Sequence, residues 1–247
     1  MQGVEGSVPR SFAVLELLVQ KGEPMRLSSI GSALDMQKST VHRILATLMV
    51  LGYVEQDPKT SCYGATLRLW ELGVQMVQQH PVKQAAAVYL QRLHSATGET
   101  VSLTLLSGDD VLYLDKLLSP RPIRFTSRVG SRAPAPLTAG GKAMLAYEPD
   151  ARLIVRRALR RIEKSRRIDP DELERELNDV REHGYAVSSF SPGIVSFGAP
   201  VMARDGRAAA AISVSAPESR LTEARRADII EHLLATCADL ADRVGAL

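Results

Sequence analysis

The sequence is poor in groups that hold metals or form covalent cross-links. Its two cysteines, Cys62 and Cys237, lie in no CxxC or Cys/His spacing, so neither a zinc site nor a disulfide framework is predicted. The five histidines, at positions 42, 80, 94, 183 and 232, are scattered without metal or triad spacing. We therefore expect no metal site and no cofactor, and ordinary packing roles for both thiols.

Long hydrophobic runs are also missing. No apolar stretch is long enough to cross a bilayer and no signal peptide is recognisable, which predicts a cytoplasmic protein without a membrane partner. With 24% charged and 45% hydrophobic residues in a length of 247, the composition is typical of a globular protein with one large or two modest domains.

The first 80 residues have no excess of either charge. Seven Lys/Arg and seven Asp/Glu fall there, so the net charge of +3 lies in the remainder. This balance argues against a protein that coats nucleic acid through charge alone. It is compatible with a site-specific reader that uses a few placed cations, and it indicates that one copy binds weakly and that a dimer is needed.

The most informative stretch that is present is an amphipathic helix opening with Lys-Ser-Thr-Val-His-Arg at 38–43. Its apolar residues follow the i, i+3, i+4, i+7 spacing of one buried stripe: Val41, Ile44, Leu45 and Leu48. Small and hydroxyl residues surround Arg43 on the other face, which suits a helix seated in a DNA major groove with the arginine on guanine. Taken alone, the six residues fit a solvated face with Ser39 or Thr40 as N-cap better.

The flanking segments change that balance. A helix over about 9–20, a short helix over about 29–34 capped by Ser28 or Ser29, and a tight turn precede the amphipathic helix, as in a helix-turn-helix. Two short strands around a Pro-containing turn follow it, which predicts a wing with a lysine at its tip. The predicted DNA-contacting residues are Ser28, Lys38, Ser39, Thr40, His42, Arg43, Thr47 and Lys59.

The rest of the chain changes period. Two helices, over about 66–79 and 82–96, are separated at His80-Pro81, and they suggest a connector whose apolar faces form a dimer surface or, alternatively, pack on a core. From Glu99 apolar and polar residues alternate, and strands then mix with helices, which is typical of an α+β domain. We therefore divide the chain into residues 1–75, 76–98 and 99–247.

Several motifs in order make the chain similar to the IclR family of bacterial transcriptional regulators. The resemblance covers nearly the whole sequence and is carried by residues 38–43, 51–54, 136–146, 183–187 and 211–217. It implies an α+β protein with an N-terminal winged helix-turn-helix, connector helices and a C-terminal GAF-like α/β effector-binding domain. The implied partners are a double-stranded DNA operator, a small-molecule effector and further copies of the chain in a homodimer or homotetramer.

An effector site is expected in the C-terminal domain. Thr138 is a predicted N-cap ahead of Ala-Gly-Gly, which leaves backbone N–H groups that favour an anion. Ser213 and Ser215 share one face of a strand; without the resemblance, a solvent-facing pair is about as good an interpretation. The resemblance, with the serine loop that follows the 185–187 strand, gives these candidate residues: Ala139, Gly140, Ser188, Ile194, Ser196, Ser213 and Ser215.

Two departures from the family pattern concern this site. Where many members have acidic residues after a strand, residues 188–192 read Ser-Ser-Phe-Ser-Pro and the loop is shorter by about two residues. A cysteine common in the next strand is replaced by Ser196. An acid-free, serine-rich pocket with Phe190 favours an organic acid that is larger or aromatic.

Enzyme motifs fail on inspection. Residues 193–198 lack the glycine that a GxSxG elbow needs, because Ile194 stands there. Residues 140–143 lack the other residues of a phosphate loop, and Lys142 is expected on a helix surface. We therefore predict a DNA-binding regulator without catalytic residues, whose DNA binding is modulated by a metabolite. The alternative is a small-molecule-binding or catalytic α+β domain whose helix-turn-helix serves only assembly.

Overall fold

The structure, a computed structural model, describes residues 6–122, 127–162 and 168–244. The chain forms two compact units, divided between Val77 and Gln78. We refer to residues 6–77 as the first unit and to the described residues from 78 onward as the second unit. The separate connector over 76–98 stays a prediction, as do the boundaries at 75 and 98.

The first unit is a three-helix motif followed by a hairpin and a further helix. Its elements are α1 (Ser7–Lys21), α2 (Leu27–Leu34), α3 (Lys38–Val50), β1 (Val54–Gln56), β2 (Tyr63–Ala65) and α4 (Arg68–Gln78). The strands are antiparallel, and Met25 exchanges two backbone hydrogen bonds with Tyr63. The predicted apolar stripe of α3 is buried against α1 and α2. The helix-turn-helix and its wing are therefore formed as the sequence predicts.

The predicted hydroxyl caps of this unit are wrong. Helix α2 begins at Leu27 with Arg26 as its N-cap, and no side chain caps it. Ser28 and Ser29 therefore lie inside the first turn, past the only position from which a side-chain oxygen reaches the free N–H groups. Helix α3 likewise has Gln37 at its N-cap without a side-chain bond, so capping does not explain Ser39 or Thr40.

The second unit is a sheet covered on both faces by helices. Its helices are α5 (Pro81–Thr97), α6 (Ala139–Leu145), α7 (Ala151–Arg161), α8 (Pro170–His183) and α9 (Glu223–Val244). Its strands are β3 (Thr100–Ser107), β4 (Asp110–Leu117), β5 (Arg132–Pro134), β6 (Ala186–Ser188), β7 (Ile194–Met202) and β8 (Ala208–Pro217). The strand order is β5-β4-β3-β8-β7-β6, with every neighbouring pair antiparallel. Strand β5 was not predicted from the sequence.

Strand alternation separates an apolar face from a polar one. Val101 pairs with Val214 and Leu103 with Ile212, all buried, whereas Ser102 pairs with Ser213. Side chains of successive residues point to opposite faces, so the serines lie on the other side of the sheet. Helix α6 covers that polar side, since a Cβ built on a glycine of the polar side would meet the backbone of α6. Helices α5 and α9 also pack on the sheet.

A buried carboxylate holds the end of α5. Glu99, whose side chain is 1% exposed, lies between α5 and β3. Its Oε1 accepts from Arg121 Nη1 at 2.6 Å and from Arg220 Nε at 3.0 Å, and its Oε2 accepts from Arg220 Nη2 at 2.6 Å. Ser119 Oγ donates to Gly98 O at 2.8 Å. The residues between helix and sheet are thus fixed by segments far away in sequence.

Lys142 is a second buried charge, and its predicted surface position is wrong. Lys142 is 5% exposed, and its Nζ lies 2.7 Å from Glu176 Oε2. The same nitrogen donates to Val187 O at 3.4 Å. All seven residues of α6 are buried, because the helix lies between the sheet and α8, so its lysine has to reach an acid on α8.

Candidate functional site

The exposed face of α3 collects most of the polar residues predicted to contact DNA. Lys38, Ser39, His42, Arg43 and Thr47 are exposed and Thr40 is half-buried. At about 100° per residue, Ser39 and Arg43 point away from the buried stripe. Within the described residues neither lysine nor arginine of this face takes part in an ion pair. The arginine is therefore available to an outside acceptor.

Thr47 differs from its neighbours. Its Oγ1 donates to Arg43 O at 3.0 Å, an internal helix bond that leaves the hydroxyl only lone pairs to offer. Ser28 is exposed on α2.

The wing presents one lysine at its tip. Lys59 lies in the turn between β1 and β2, and its backbone N–H donates to Asp57 Oδ1 at 2.8 Å. Thr60 Oγ1 donates to Asp57 Oδ2 at 2.8 Å. These hydrogen bonds hold the pKa of the Asp57 carboxyl below its ordinary value and fix the turn. The Lys59 side chain stays exposed, as a phosphate contact requires.

Next to α3 the first unit carries an apolar groove of about 830 Å³. Phe12 of α1 and Leu72 of α4 line it together with Thr40 and Arg43. Phe12 is 60% exposed, and Trp70 of α4 is 64% exposed. Further exposed apolar residues on the same two helices are Val8, Val19 and Met76. Exposed apolar residues are thus concentrated on α1 and α4 of this unit.

The second unit has a partly open cavity of about 210 Å³ between the polar side of the sheet and the start of α6. Hydroxyl side chains dominate its lining: Thr104, Tyr113, Ser127, Ser131, Thr138, Ser188, Ser191, Ser196, Ser213 and Ser215. The remaining lining residues include Arg132, Phe190, Ala139 and Gly140, and the described part of the lining contains no carboxylate. Such a set of donors and acceptors suits an oxygen-rich ligand.

Hydrogen bonds orient several of these hydroxyls. Ser196 Oγ and Ser215 Oγ are 2.8 Å apart, and Ser188 Oγ donates to Leu137 O at 2.7 Å. Thr138 Oγ1 accepts from Gly141 N at 3.0 Å, so the predicted N-cap of α6 is confirmed. The strand serines are buried, which excludes the solvent-facing alternative for Ser213 and Ser215.

Two glycines allow α6 to approach the sheet. A Cβ on Gly198 of β7 would lie 2.4 Å from the backbone carbon of Ala139. A Cβ on Gly140 would lie 2.7 Å from Thr104 Oγ1. Neither distance is possible for a real side chain, so both positions require glycine for packing. This close approach puts the α6 backbone at the wall of the cavity.

Six of the seven candidate effector residues line this cavity, and Ile194 does not. Ile194 is on the same face of β7 as Ser196. It is the first residue of the strand and pairs with Pro217, two residues beyond Ser215 on β8, so it lies past the end of the cavity. Sequence reasoning missed Thr104, Tyr113, Ser127 and Ser131. The alternation of Thr100, Ser102 and Thr104 carried a signal, because polar residues at every second position of a buried strand need a reason.

A larger trough of about 1180 Å³ runs between α7 and α8. Its floor is aliphatic, with Val155, Leu159 and Leu177, and its charged rim includes the Arg152–Glu174 ion pair. It borders Ile168, the first described residue after 163–167. Its polar groups do not converge on one point, so the smaller cavity is the better ligand site.

Two negative observations concern the described residues alone. Among 6–122, 127–162 and 168–244, no three His, Cys, Asp or Glu side chains are grouped so that they could hold a metal ion. Over the same ranges no helix combines the length and the apolar character needed to span a membrane.

Comparison with known proteins gives consistent matches along the chain. Residues 7–58 match the model of the IclR helix-turn-helix domain, and residues 74–242 match that of the bacterial transcriptional regulator IclR C-terminal domain. The chain is 35% identical to the probable transcriptional regulator SauR of Cupriavidus necator over 218 residues, which cover 86% of each protein.

Solved structures agree with these matches. An IclR transcriptional regulator from Alicyclobacillus acidocaldarius is 28% identical, with a TM-score of 0.80 over 98% of this chain and 100% of that one. An IclR homologue from Microbacterium hydrocarbonoxydans, complexed with 4-hydroxybenzoate, is 23% identical, with a TM-score of 0.81 over 98% and 100%. The second likeness is one of fold alone.

Proposed function

The chain belongs to the IclR family of bacterial transcriptional regulators, and from this premise we propose that α3 reads a double-stranded DNA operator while an organic acid in the second unit modulates the binding. The observation that carries the DNA half is Arg43, which forms no ion pair within the described residues and lies on an exposed face of short polar residues. A protein acting on chromosomal DNA works in the cytoplasm, which is where we place it.

In this proposal Arg43 makes the specific contact. An arginine that forms two hydrogen bonds to guanine distinguishes it from other bases. Lys38, Ser39 and His42 flank it on the same face, and Lys59 contacts backbone phosphate from the wing. Ser28 and Thr40 are additional phosphate contacts, and Thr47 contributes as an acceptor.

The neutral charge of the first 80 residues makes assembly part of the proposal. A single reading head has few cations, so useful affinity requires two heads on one operator. The exposed apolar residues of α1 and α4 offer the surface for a homodimer, and two dimers would give the tetramer. Trp70→Ala should shift the protein towards monomer in sedimentation velocity, with the exposed polar change Gln75→Ala on the same helix as control. Equal assembly of both variants would move the dimer contact elsewhere.

The effector half rests on the cavity of the second unit. Ala139, Gly140, Ser188, Ser196, Ser213 and Ser215 line it, and the 4-hydroxybenzoate complex is formed by a protein of the same fold. By linkage, the effector changes the affinity for DNA by the same factor as DNA changes the affinity for the effector. The proposal assigns no catalytic role to the residues of this cavity.

The test is a binding titration on the DNA upstream of the protein's own gene and its neighbours. Arg43→Ala should weaken specific binding by about 1–3 kcal/mol, roughly five- to 150-fold, at physiological salt with competitor DNA present. Arg204→Ala, which removes one exposed charge from a turn of the second unit, is the control for net charge and should bind as the wild type does. Specific binding that survives in Arg43→Ala would favour the alternative in which the helix-turn-helix serves only assembly.

A further inference from the structure

Beside the cavity of the second unit, polar residues continue across the sheet towards β4. Ser102 of β3 pairs with Ser213 of β8 on one side and with Lys116 of β4 on the other. Ser213 lines the cavity. Thr104, which lies two residues after Ser102 on the same face of β3, lines it as well. The row from Ser213 through Ser102 to Lys116 therefore continues the polar side of the sheet. We call Ser102, Tyr113, Lys116 and Ser127 the lysine end of the cavity.

Lys116 reaches the wall of the cavity through one serine. Its Nζ donates to Ser127 Oγ at 2.6 Å and to Ser127 O at 3.3 Å. The same nitrogen lies 5.7 Å from the centre of the Tyr113 ring. Both Ser127 and Tyr113 line the cavity, so the ammonium group is one side chain away from anything bound there.

Ser102 supplies an independent sign of a ligand. The residue is 1% exposed, and within the described part of the chain its Oγ has no hydrogen-bond partner. A buried hydroxyl without a partner is unfavourable and rare, because the group has lost water and gained nothing. A ligand oxygen at the lysine end would complete it.

We propose that the cavity takes a small, non-aromatic carboxylic acid carrying at least one hydroxyl group, with its carboxylate at the lysine end. The hydroxyls of β7, β8 and the start of α6 then hold the hydroxyl part of the ligand. This deepens the proposed function by naming the class of effector, and it depends on that function only for the consequence of binding.

The size and the lining of the cavity both favour this class. About 210 Å³ is below the roughly 300 Å³ at which pockets for drug-sized ligands begin. An aromatic ring would take water from the serine hydroxyls without returning hydrogen bonds, which costs binding free energy. A hydroxy acid returns them. Burial lowers the pKa of Lys116 to about 8, so the group is mostly charged at neutral pH and a carboxylate nearby favours that charge.

The test is calorimetry of the full chain, without DNA, against matched acids. Lactate, glycerate and malate carry hydroxyls, propionate and succinate lack them, and benzoate and 4-hydroxybenzoate are aromatic. We expect a hydroxy acid to bind at least tenfold more tightly than its hydroxyl-free partner. Tighter binding of an aromatic acid, or no binding by any hydroxy acid, would overturn the proposal.

Two variants test the lysine end itself. Lys116→Met should weaken binding of the best hydroxy acid by about tenfold or more, as expected for a lost charge-assisted contact, whereas Lys21→Met in the first unit should change nothing. Ser102→Ala should weaken binding without lowering the melting temperature of the free protein. Unchanged affinity in both variants would place the carboxylate elsewhere and refute the assignment.

Failure of this inference is distinguishable from failure of the proposed function. A hydroxy acid that binds at the lysine end but leaves DNA affinity unchanged would refute modulation and keep the assigned ligand class. DNA binding that responds only to an aromatic acid would do the reverse.

Discussion

The two units hold their candidate residues in opposite ways. On α3 the polar side chains are exposed and make few bonds, and the buried stripe beneath them belongs to different residues. In the second unit most of the candidate residues are themselves buried, and several are joined by hydrogen bonds to one another or to backbone. On an exposed helix, the residues that recognise a partner are different from those that stabilise the fold. Around a cavity inside a unit, the same residues contribute to both ligand binding and stability.

This contrast predicts where function and stability can be changed independently. Exposed substitutions on the first unit should alter binding with unfolding free energies within about 0.5 kcal/mol of the wild type. Substitutions around the cavity should alter both quantities.

The strongest way to separate the units is Glu99→Gln. Removing one charge of a buried pair costs about 3–5 kcal/mol. Because Arg121 and Arg220 are partly exposed, we expect the lower end, about 3 kcal/mol. The loss should appear in the second unit alone. Urea unfolding can resolve this, because the sole tryptophan, Trp70, reports the first unit while circular dichroism reports both.

For Glu99→Gln, the Trp70 transition should keep its midpoint while part of the dichroism signal is lost at lower urea. If both signals shifted together, the two units would unfold as one and the separation would be wrong.

A pair of glycines gives a sharper comparison. Gly198→Ala places a methyl group 2.4 Å from the Ala139 backbone and should cost about 1–3 kcal/mol through overpacking. Gly73, inside α4, has open space around its Cβ position, so Gly73→Ala should stabilise the chain by about 0.5–1 kcal/mol. Thermal unfolding of both variants measures the difference. Destabilisation by Gly73→Ala would show that another chain covers this position in solution.

The smallest expected effect is a pH dependence from Lys116, because solvent reaches this half-buried side chain and reduces the effect well below what its pKa difference alone would give. Its pKa is about 8 in the folded chain and 10.5 in the unfolded one. Between these values the unfolded chain binds more protons, so this residue makes the free energy of unfolding rise with pH. The wild type minus Lys116→Met difference in unfolding free energy should therefore increase from pH 8 to 10.5 and stay flat below pH 7.

Tyr113, whose pKa burial raises, lies beside the same ammonium group, so the comparison is made below pH 10, where its phenol stays protonated in both proteins. A difference independent of pH would mean that Lys116 is not desolvated.

Local patterns predicted the elements well. The spacing of apolar residues defined α3, the Pro-containing turn defined the wing, and Thr138 was recognised as a cap because its hydroxyl precedes the helix directly. What sequence reasoning missed depends on contacts between distant segments. Lys142 is buried because α6 lies between the sheet and α8, where Glu176 pairs with it. No local sequence pattern shows that these two helices meet.

The lysine end could not be predicted for the same reason. Ser102 and Ser213 are neighbours only because β3 pairs with β8, more than a hundred positions later in the chain. The register that joins Lys116 to Ser102 depends in turn on a bulge between Leu103 and Thr104. The prediction of a larger or aromatic ligand was based on one loop, residues 188–192. The volume of the cavity is instead determined by how six strands and a helix pack together.

The two cysteines differ in a way that provides built-in chemical probes. Cys237 Sγ donates to Ala199 O at 3.5 Å, and burial raises the pKa of its thiol to about 12, so an alkylating reagent meets it only when the second unit opens. Cys62 is half-buried in the wing, three positions after Lys59. Its alkylation rate would register DNA covering the wing, while that of Cys237 would register ligand holding the second unit closed. The unmodified protein thus carries one thiol whose alkylation rate reports DNA binding and another whose rate reports ligand binding.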